Sequence, residues 1–384
     1  MSTLDTIIAK FAAPCNLACT YCYEYAAGDE TWRKKPKGIS VETAKVLGER
    51  IREFGESSGK KCMKVVAHGG EPLLLGAEKL NSVLSAITFH ASPIEVRFSL
   101  QTNGTLLTPS ICAVLARHQV TVGVSLDGSS THNRRRIDHR GLASYDQVLA
   151  GIQTLRSTPG SRFGGLLCVI DLEHEPEEIV DALCALQPPM IDLLQPFMTH
   201  DAAGTGRQAM AKRFGEWMCR AMDRWIDRQE FGNVRIRVLD DALRASITRR
   251  PETDWFGPRR ISYLVVETDG SYDLLDQLKA IGAESASARQ IGRSLADCSL
   301  QDAAVLAEHL LTERSGDTLP SGCTGCRWAD VCAGGHLPSR HSAAQNFNNP
   351  STYCEGIVAL LDHAHDRLTK HEQRLTLKII HGKG

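Results

Sequence analysis

The chain has 384 residues, of which 42% are hydrophobic, and a formal net charge of −1 at pH 7. That length provides for two or three domains with large cores, and the near-neutral charge does not favour a nucleic-acid or membrane surface. We find neither a stretch apolar enough to span a bilayer nor a secretory segment, so the thirteen cysteines are expected to bind metal in a reducing cytoplasm instead of forming disulfides.

The first 200 residues alternate short β-branched runs with segments of helical period. The predicted strands cover Thr6–Phe11, Lys64–Ala67, Ile94–Gln101, Thr121–Leu126, Gly165–Ile170 and Ile191–Gln195. The predicted helices in this part cover Val41–Phe54, Ala77–Phe89, Pro109–Arg117, Tyr145–Leu155 and Pro176–Leu186, and one more, Ala209–Arg228, follows it. Strands that alternate with helices in this way predict an α/β fold with a parallel sheet and right-handed crossovers.

A run of three cysteines, Cys15, Cys19 and Cys22, follows the first predicted strand with the spacing C-x3-C-x2-C. Three thiolates at this spacing can hold three corners of a 4Fe–4S cluster and leave one iron without a protein ligand. A structural cluster, by contrast, is closed by four cysteines. Taken alone, the same cysteines could belong to a zinc site or be buried thiols.

A second motif, His68-Gly69-Gly70-Glu71-Pro72, ends the next predicted strand. Two glycines let the backbone approach a ligand closely, and the carboxylate behind them can hold an ammonium group. Taken alone, the segment is also compatible with an ordinary strand-to-helix turn. Two later strand ends place the polar side chains of Gln101, Asn103 and Ser125 at the same edge of the sheet.

These motifs together, with Tyr21 directly before the third cysteine, resemble the signature of radical S-adenosylmethionine (SAM) enzymes. The resemblance implies a partial (β/α)6 barrel with a 4Fe–4S cluster on Cys15, Cys19 and Cys22, whose open iron binds SAM. It also implies SAM contacts from residues at the strand ends and from Arg136, which matches a position that pairs with the methionyl carboxylate. The residues assigned to SAM in this way are Tyr21, Gly69, Gly70, Glu71, Gln101, Asn103, Ser125 and Arg136.

The alternation of strands and helices stops near residue 200, where a small Gly-containing connector begins. The helix predicted after it carries an aromatic stripe of Phe214, Trp217 and Trp225, which indicates packing against the barrel more than a cofactor site. We therefore expect a radical SAM barrel over residues 1–200, a bridging helical region over 201–262 and a further domain over 263–384.

Four cysteines near the end of the chain have the pattern C-x2-C-x5-C-x21-C, and four thiolates can also bind zinc. Beside a radical SAM domain, the pattern resembles the SPASM extension, which implies an auxiliary 4Fe–4S cluster held by Cys323, Cys326, Cys332 and Cys354. Complete SPASM domains hold a second auxiliary cluster. Here Leu275 and His336 occupy two of its cysteine positions, so we expect two clusters in the chain and not three.

The surroundings of these cysteines, together with residues 30–36, resemble one branch of radical SAM/SPASM maturases, which form three-residue cyclophanes in ribosomal peptides. That resemblance implies a precursor peptide substrate, an external flavodoxin- or ferredoxin-type electron donor, and oxidative cross-linking of an aromatic ring to an unactivated Cβ. Asp276 matches the position of a base in the related sulfatase-maturating enzymes; an ordinary acidic residue is the alternative. The alternatives are another modification of the peptide, thioether or formylglycine formation, and a non-catalytic protein that binds iron or zinc.

Overall fold

The structure is a computed structural model that describes residues 4–228, 233–256, 262–315 and 319–370. Its strands are β1 (Thr6–Ala12), β2 (Cys62–Gly69), β3 (Glu95–Thr102), β4 (Thr121–Ser125), β5 (Arg162–Val169), β6 (Met190–Leu194), β7 (Arg235–Ile236), β8 (Tyr263–Val266), β9 (Ser271–Asp273) and β10 (Gln290–Ser294). Its helices are α1 (Val41–Ser58), α2 (Gly76–Ala91), α3 (Pro109–Arg117), α4 (Tyr145–Ser157), α5 (Pro176–Cys184), α6 (His200–Ala203), α7 (Arg207–Asp227), α8 (Arg237–Thr248), α9 (Ser285–Arg289), α10 (Leu300–Ser315), α11 (Ala329–Cys332) and α12 (Cys354–Lys370).

The described residues fall into two compact units. Unit 1 draws on Met1–Leu126, Asn133–Gly165 and Arg260–Glu313, and unit 2 on Asp127–His132, Leu166–Arg259 and Arg314–Gly384. The six strands and six helices predicted from the sequence are all present, most of them with bounds shifted by a few residues. The division at residues 200 and 262 into three functional domains stays a prediction.

Unit 1 contains a sheet with the strand order β10-β9-β8-β1-β2-β3-β4. Strand β1 lies parallel to both β2 and β8, with Ala9 opposite Ala67 on one side and Val266 on the other. Strand β9 is antiparallel to its two neighbours. Most apolar side chains of β1 and β2 are buried, whereas Ile8 and Val66 are half-buried. The parallel α/β fold predicted from the sequence is confirmed.

Helices α1 and α2 pack against each other in unit 1. Ser40 caps the N-terminus of helix α1, because its side chain accepts a hydrogen bond from the Thr43 backbone N–H. Gly59 caps the C-terminus in the left-handed conformation, with φ +73°. Both are common helix-terminating devices, because they satisfy backbone groups that have no partner inside the helix. Leu47 and Ile51 lie on the buried face of this helix.

Unit 2 contains three parallel strands in the order β5-β6-β7, with helices α5, α7, α8 and α12. The aromatic stripe predicted on α7 is buried, and the ring nitrogens of Trp217 and Trp225 donate hydrogen bonds to the carbonyls of His174 and Val234. Helix α7 packs against α5 and α12. The interpretation of this stripe as a packing surface is confirmed.

The structure differs from the sequence prediction after residue 200. The region expected to be helical contains strand β7 in addition to α7 and α8. Beyond it, the chain returns to unit 1 as β8, which pairs with β1. A four-residue apolar run such as Tyr263–Val266 has no pattern that reveals which strand it will join.

Two glycines allow α7 and α12 to cross closely. A Cβ atom on Gly356 would lie 2.4 Å from the carbonyl oxygen of Ala211, whereas a Cβ on Gly206, at the start of α7, would meet nothing within 4 Å. We predict that Gly356→Ala lowers the free energy of unfolding by about 1–2 kcal/mol, because overpacking outweighs the gain in helix propensity. Gly206→Ala is the control, and thermal unfolding measures both. Equal melting temperatures in the two variants would contradict this packing.

Candidate functional site

The loop that follows β1 carries Cys15, Cys19 and Cys22. The Cys22 N–H donates to the Cys19 carbonyl (3.1 Å) and the Ala26 N–H donates to the Cys22 carbonyl (2.7 Å), which turns the chain back on itself. The Leu17 N–H points at the sulfur of Cys15, 3.4 Å away. Local hydrogen bonds therefore place the three thiols on one short turn.

Residues 133–139 brace this cysteine loop from the side. The Ala18 N–H donates to the carbonyl of Ile137 (2.7 Å), and the Thr20 N–H donates to the carbonyl of Arg135 (3.1 Å). Two backbone bonds of this kind hold the loop against a part of the chain more than a hundred residues away. No pattern in the sequence predicts this contact, because a run of arginines usually indicates a solvated face.

None of the three loop thiols is in a disulfide, and all three are half-buried. Burial is the main reason that the pKa of Cys15 rises to about 12 and that of Cys22 to about 11, and the charges of neighbouring cysteines raise both pKa values as well. The thiols are thus close enough to oppose each other's ionisation. Bound iron would favour the ionised form of all three thiols, because it binds thiolates. The donor set therefore fits the 4Fe–4S cluster expected from the sequence.

The two glycines at the end of β2 lie directly against the cysteine loop. A Cβ atom on Gly69, where φ is +128°, would lie 2.1 Å from the carbonyl oxygen of Ala12. A Cβ on Gly70 would lie 1.9 Å from the hydroxyl of Tyr25 and 2.3 Å from the carbonyl oxygen of Pro14. No other residue fits at either position without moving the backbone, so the glycines fix the distance between β2 and the loop.

Glu71 is fully buried beside these glycines. Its carboxylate accepts hydrogen bonds from the N–H of Leu73 (3.0 Å), the hydroxyl of Thr102 (2.8 Å) and the N–H of Asn103 (2.8 Å). The Asn103 side-chain amide in turn lies 3.7 Å from the sulfur of Cys15. Burial raises the pKa of Glu71 to about 7. Three of about four acceptor positions on the carboxylate are used by the chain, and its contact with the SAM amine stays a prediction.

Two further pairs of predicted SAM residues contact each other. The Gln101 side-chain amide donates to the hydroxyl of Ser125 (2.9 Å), and the guanidinium of Arg136 donates to the hydroxyl of Tyr21 (2.6 Å). Arg136 is buried, whereas Arg134 is exposed. The structure therefore places Arg136 on the inner side of this arginine run, beside the cysteine loop.

Asp276 lies at the centre of a buried set of charges in unit 1. Its Oδ2 atom accepts hydrogen bonds from Lys10 Nζ and from the hydroxyl of Tyr23, both at 2.6 Å. Its Oδ1 atom lies 3.1 Å from Lys279 Nζ. Burial alone would raise the pKa of Asp276, but the charges of Lys10 and Lys279 outweigh it and hold that pKa well below its usual value. Asp276 is therefore ionised in the resting protein.

The two lysines connect Asp276 to three more side chains. Lys10 Nζ lies 3.1 Å from Glu24 Oε2 and 3.3 Å from His68 Nδ1. Lys279 Nζ lies 2.6 Å from Glu24 Oε1 and 3.1 Å from Glu267 Oε1. We call the set formed by these groups the acid–base cluster; its members are Lys10, Glu24, His68, Glu267, Asp276 and Lys279.

Sequence reasoning identified one member of the acid–base cluster, Asp276, and missed the other five. The available signals were a lysine inside the apolar strand β1 and a histidine just before the two glycines of β2. Lys10 and His68 are direct partners in the register of these strands. Because neighbouring parallel strands end at one edge of a sheet, their terminal polar residues meet there.

The four C-terminal cysteines form a second set, in unit 2. Cys323 and Cys332 are buried, Cys326 and Cys354 are half-buried, and none is in a disulfide. Burial, together with the charges of the other three cysteines, raises the pKa of Cys332 to about 12. The four thiols therefore lie near one another, and a set of four cysteines fits the auxiliary 4Fe–4S cluster expected from the sequence.

Of the two residues expected in place of auxiliary-cluster cysteines, one is buried and the other is half-buried. Leu275 is buried in unit 1, next to Asp276. His336 lies in unit 2 with its Nε2 atom 3.9 Å from Asp254, and burial lowers its pKa. Within the described ranges, no three His, Cys, Asp or Glu side chains converge as closely as a single metal ion requires.

Comparison with known proteins identifies the family. Residues 11–183 match the Radical SAM superfamily. The chain is 30% identical over 348 residues to a serine-type anaerobic sulfatase-maturating enzyme of Klebsiella aerogenes, an alignment that covers 88% of this chain and 81% of the relative. The chain belongs to the radical SAM family. It is a radical SAM enzyme that modifies peptides, and the family implies a 4Fe–4S cluster and SAM.

Solved structures share the fold of this radical SAM enzyme. One, described as native anSMEcpe with bound AdoMet and Cp18Cys peptide, gives a TM-score of 0.80 at 22% identity and covers 95% of this chain and 98% of the other. Another, Streptococcus suis SuiB bound to the precursor peptide SuiA, gives 0.59 at 14% identity with 92% and 76% covered. Among the described helices of this protein, none is long and apolar enough to cross a membrane.

The iron content tests the two sets of thiols. We predict about eight irons per chain after anaerobic reconstitution, because two sets of ligands would each hold a four-iron cluster. Changing Cys15, Cys19 and Cys22 together to Ala should leave about four. Cys62→Ala, also half-buried in unit 1, is the control and should keep all of them. A value near twelve irons in the unaltered protein would contradict the expectation of two clusters.

The buried carboxyl of Glu71 makes stability depend on pH. Because burial raises its folded pKa from 4.5 to about 7, the folded protein binds more protons than the unfolded chain between these values. Stability from this group therefore falls as pH rises through that window, by at most about 3 kcal/mol. In Glu71→Gln this contribution is absent, so the stability of the variant relative to wild type should increase with pH from 4.5 to 7. Parallel denaturant titrations of both proteins give the difference, and a constant difference would contradict the raised pKa.

Proposed function

We propose that this radical SAM enzyme cross-links an aromatic ring to an unactivated Cβ in a ribosomal precursor peptide, forming a cyclophane. The observation that carries the proposal is the position of three thiols beside Glu71 and Asn103 at the strand-end edge of unit 1, where the acid–base cluster also lies. The residues proposed for radical generation and the carboxylate proposed as the base thus lie within one unit.

Cys15, Cys19 and Cys22 would hold the cluster, and Glu71, Asn103 and Arg136 would surround the bound SAM. When bound, the reduced cluster and SAM supply a 5′-deoxyadenosyl radical that removes a hydrogen atom from the peptide. The protein's own contribution is to position the peptide and exclude water. An external flavodoxin- or ferredoxin-type protein is the proposed source of electrons.

The peptide reaction balances with one electron and one proton leaving. After a hydrogen atom is lost from Cβ, the carbon radical adds to the ring of an aromatic residue two positions earlier, and a new C–C bond forms. The ring regains aromaticity when it gives up one electron and the proton of the attacked carbon. The protein must therefore provide a base near the ring and a route for the electron.

Asp276 is the proposed base. Lys10 and Lys279 keep it ionised, and Tyr23 donates a hydrogen bond to the same oxygen that Lys10 contacts. The second oxygen, Oδ1, is buried and accepts no hydrogen bond from the described residues, although Lys279 Nζ is within ion-pair distance. This oxygen has a lone pair available for an incoming proton.

Cys323, Cys326, Cys332 and Cys354 would hold the auxiliary cluster, which would supply a one-electron acceptor. Four cysteinyl ligands leave no open iron, and this suits electron transfer better than substrate binding. Leu275 and His336 stand where a further cluster would need cysteines, which is why two clusters are proposed in all.

Formylglycine formation is the second candidate. The 30% identity to a serine-type anaerobic sulfatase-maturating enzyme over most of both chains favours it. This reaction converts a seryl hydroxymethyl group to an aldehyde and also removes two hydrogens from the peptide. The change in mass therefore does not distinguish it from a cross-link, whereas a reagent for aldehydes does.

We predict a product lighter than its precursor by about two mass units per modification, because two hydrogens leave and nothing is added. Co-expression with the precursor peptide encoded nearby, followed by mass spectrometry, is the measurement. Fragment ions should be missing between an aromatic residue and the residue two positions later, and deuterium at the Cβ of that later residue should appear in 5′-deoxyadenosine. An aldehyde that reacts with a hydrazide would assign formylglycine formation, and a cross-link through sulfur would contradict both candidates.

A further inference from the structure

We propose that His68, acting through Lys10, returns to solvent the proton that Asp276 takes from the substrate. This inference rests on the proposed function, since it concerns the proton that ring rearomatisation releases. It assigns a role to two side chains at the ends of adjacent strands, β1 and β2, and it explains why the sealed carboxylate can be used again in the next turnover.

The three groups form a continuous line of contacts. Lys10 Nζ is 2.6 Å from Asp276 Oδ2 on one side and 3.3 Å from His68 Nδ1 on the other. The side chains of Lys10 and Asp276 are 1% and 4% exposed, whereas that of His68 is 26% exposed. Of these three, His68 is therefore the group that water can reach.

Charge in the acid–base cluster favours taking up one proton and no more. Its two ammonium groups, on Lys10 and Lys279, face three carboxylates, on Glu24, Glu267 and Asp276, which leaves one net negative charge. Protonation of Asp276 brings the sum to zero. A proton that stayed on Asp276 would leave no base for the next substrate, so the acid–base cluster requires a path by which the proton can leave.

A neighbouring group of buried charges does not supply a compensating positive charge. Arg289 pairs there with Asp29 and Asp273, and the pKa of Asp273 is raised to about 7, mainly by burial. One guanidinium thus faces one or two negative carboxylates. The net charge of this region is zero or negative whichever form Asp273 takes. The proton on Asp276 therefore still requires a path to solvent.

The ammonium of Lys10 fixes the starting form of His68. A protonated lysine can only donate, so His68 Nδ1 accepts its hydrogen bond and the ring proton is on Nε2. Burial and the charge of Lys10 lower the pKa of His68 to about 4, while Asp276 and Glu267 oppose this shift and Lys279 adds to it. The imidazole is neutral at rest and does not retain a proton that reaches it.

The transfer conserves every proton. The proton that Asp276 takes up on Oδ1 comes to face Lys10 when the carboxyl group makes a half turn about its Cβ–Cγ bond. As Lys10 Nζ–H breaks and His68 Nδ1–H forms, that proton moves from Asp276 to Lys10 and restores the ammonium. The imidazolium then releases its Nε2 proton to water. A half turn of the ring about χ2 brings the remaining N–H back to the outer side. No oxidant or reductant takes part, and Lys10 ends as it began.

The test compares two substitutions of His68 with a matched control. His68→Gln keeps a side-chain oxygen that can accept the hydrogen bond of Lys10 but cannot carry a proton. His68→Ala leaves space that imidazole from solution can fill. His90→Ala is the control, because its side chain in unit 1 is also 26% exposed and lies beside a carboxylate, Glu49. Thermal unfolding verifies that each variant is folded.

We expect His68→Gln to lower the rate of cross-link formation at least about tenfold, with unchanged transfer of deuterium from Cβ to 5′-deoxyadenosine. His68→Ala should lower the rate in the same way. Added imidazole should restore the rate of cross-link formation of this variant in a concentration-dependent manner, and substituted imidazoles should restore it in the order of their basicity. His90→Ala should match wild type.

Normal cross-linking by folded His68→Gln, or folded His68→Ala that imidazole does not rescue, would overturn the inference while leaving the proposed function intact. A different failure would affect the proposed function itself. Wild-type enzyme that transfers no label and makes no cross-linked peptide would contradict the function, and the role of His68 would be overturned with it.

Discussion

Every charge buried at the strand-end edge of unit 1 must keep an opposite partner, and the site depends on this constraint. Removing one member of a buried ion pair typically costs about 3–5 kcal/mol, because the other charge is left without compensation. Here Lys10 belongs to β1, Glu24 follows the cysteine loop, and Asp276 and Lys279 lie in a later segment. Charge pairing therefore fixes the relative positions of the first strand of the chain, the loop that carries the thiols and the carboxylate proposed as base.

Local features of the fold were accessible from the sequence. Helix α3 has the predicted bounds, Pro109–Arg117, since a proline in the first turn and an apolar period define it without help from distant residues. The cysteine loop and the two glycines were also recognised, because their chemistry is carried by spacing along the chain. The structure adds that Gly70 packs against Tyr25 and Pro14, a reason for glycine that is independent of any ligand.

Contacts between residues far apart in the chain could not be predicted from the sequence. Lys10 and Asp276 are separated by 266 positions, and they meet only because β8 joins the sheet beside β1. A lysine within an apolar strand pattern signals that a buried partner exists but not which carboxylate supplies it. For the same reason, the pairing of Arg136 with Tyr21 could be recognised only after the segment around residue 136 was seen to lie along the cysteine loop.

The hydrogen bonds between residues 133–139 and the cysteine loop help to order the loop that carries the three thiols. Hydrogen bonds from the N–H groups of Ala18 and Thr20 restrain the loop, so the polypeptide itself offsets part of the conformational entropy that ordering the loop costs. In zinc fingers the metal itself drives folding, and the free peptide is disordered. Here backbone hydrogen bonds to a distant segment share that task, so the path of the loop depends less on metal binding than the path of a zinc finger does.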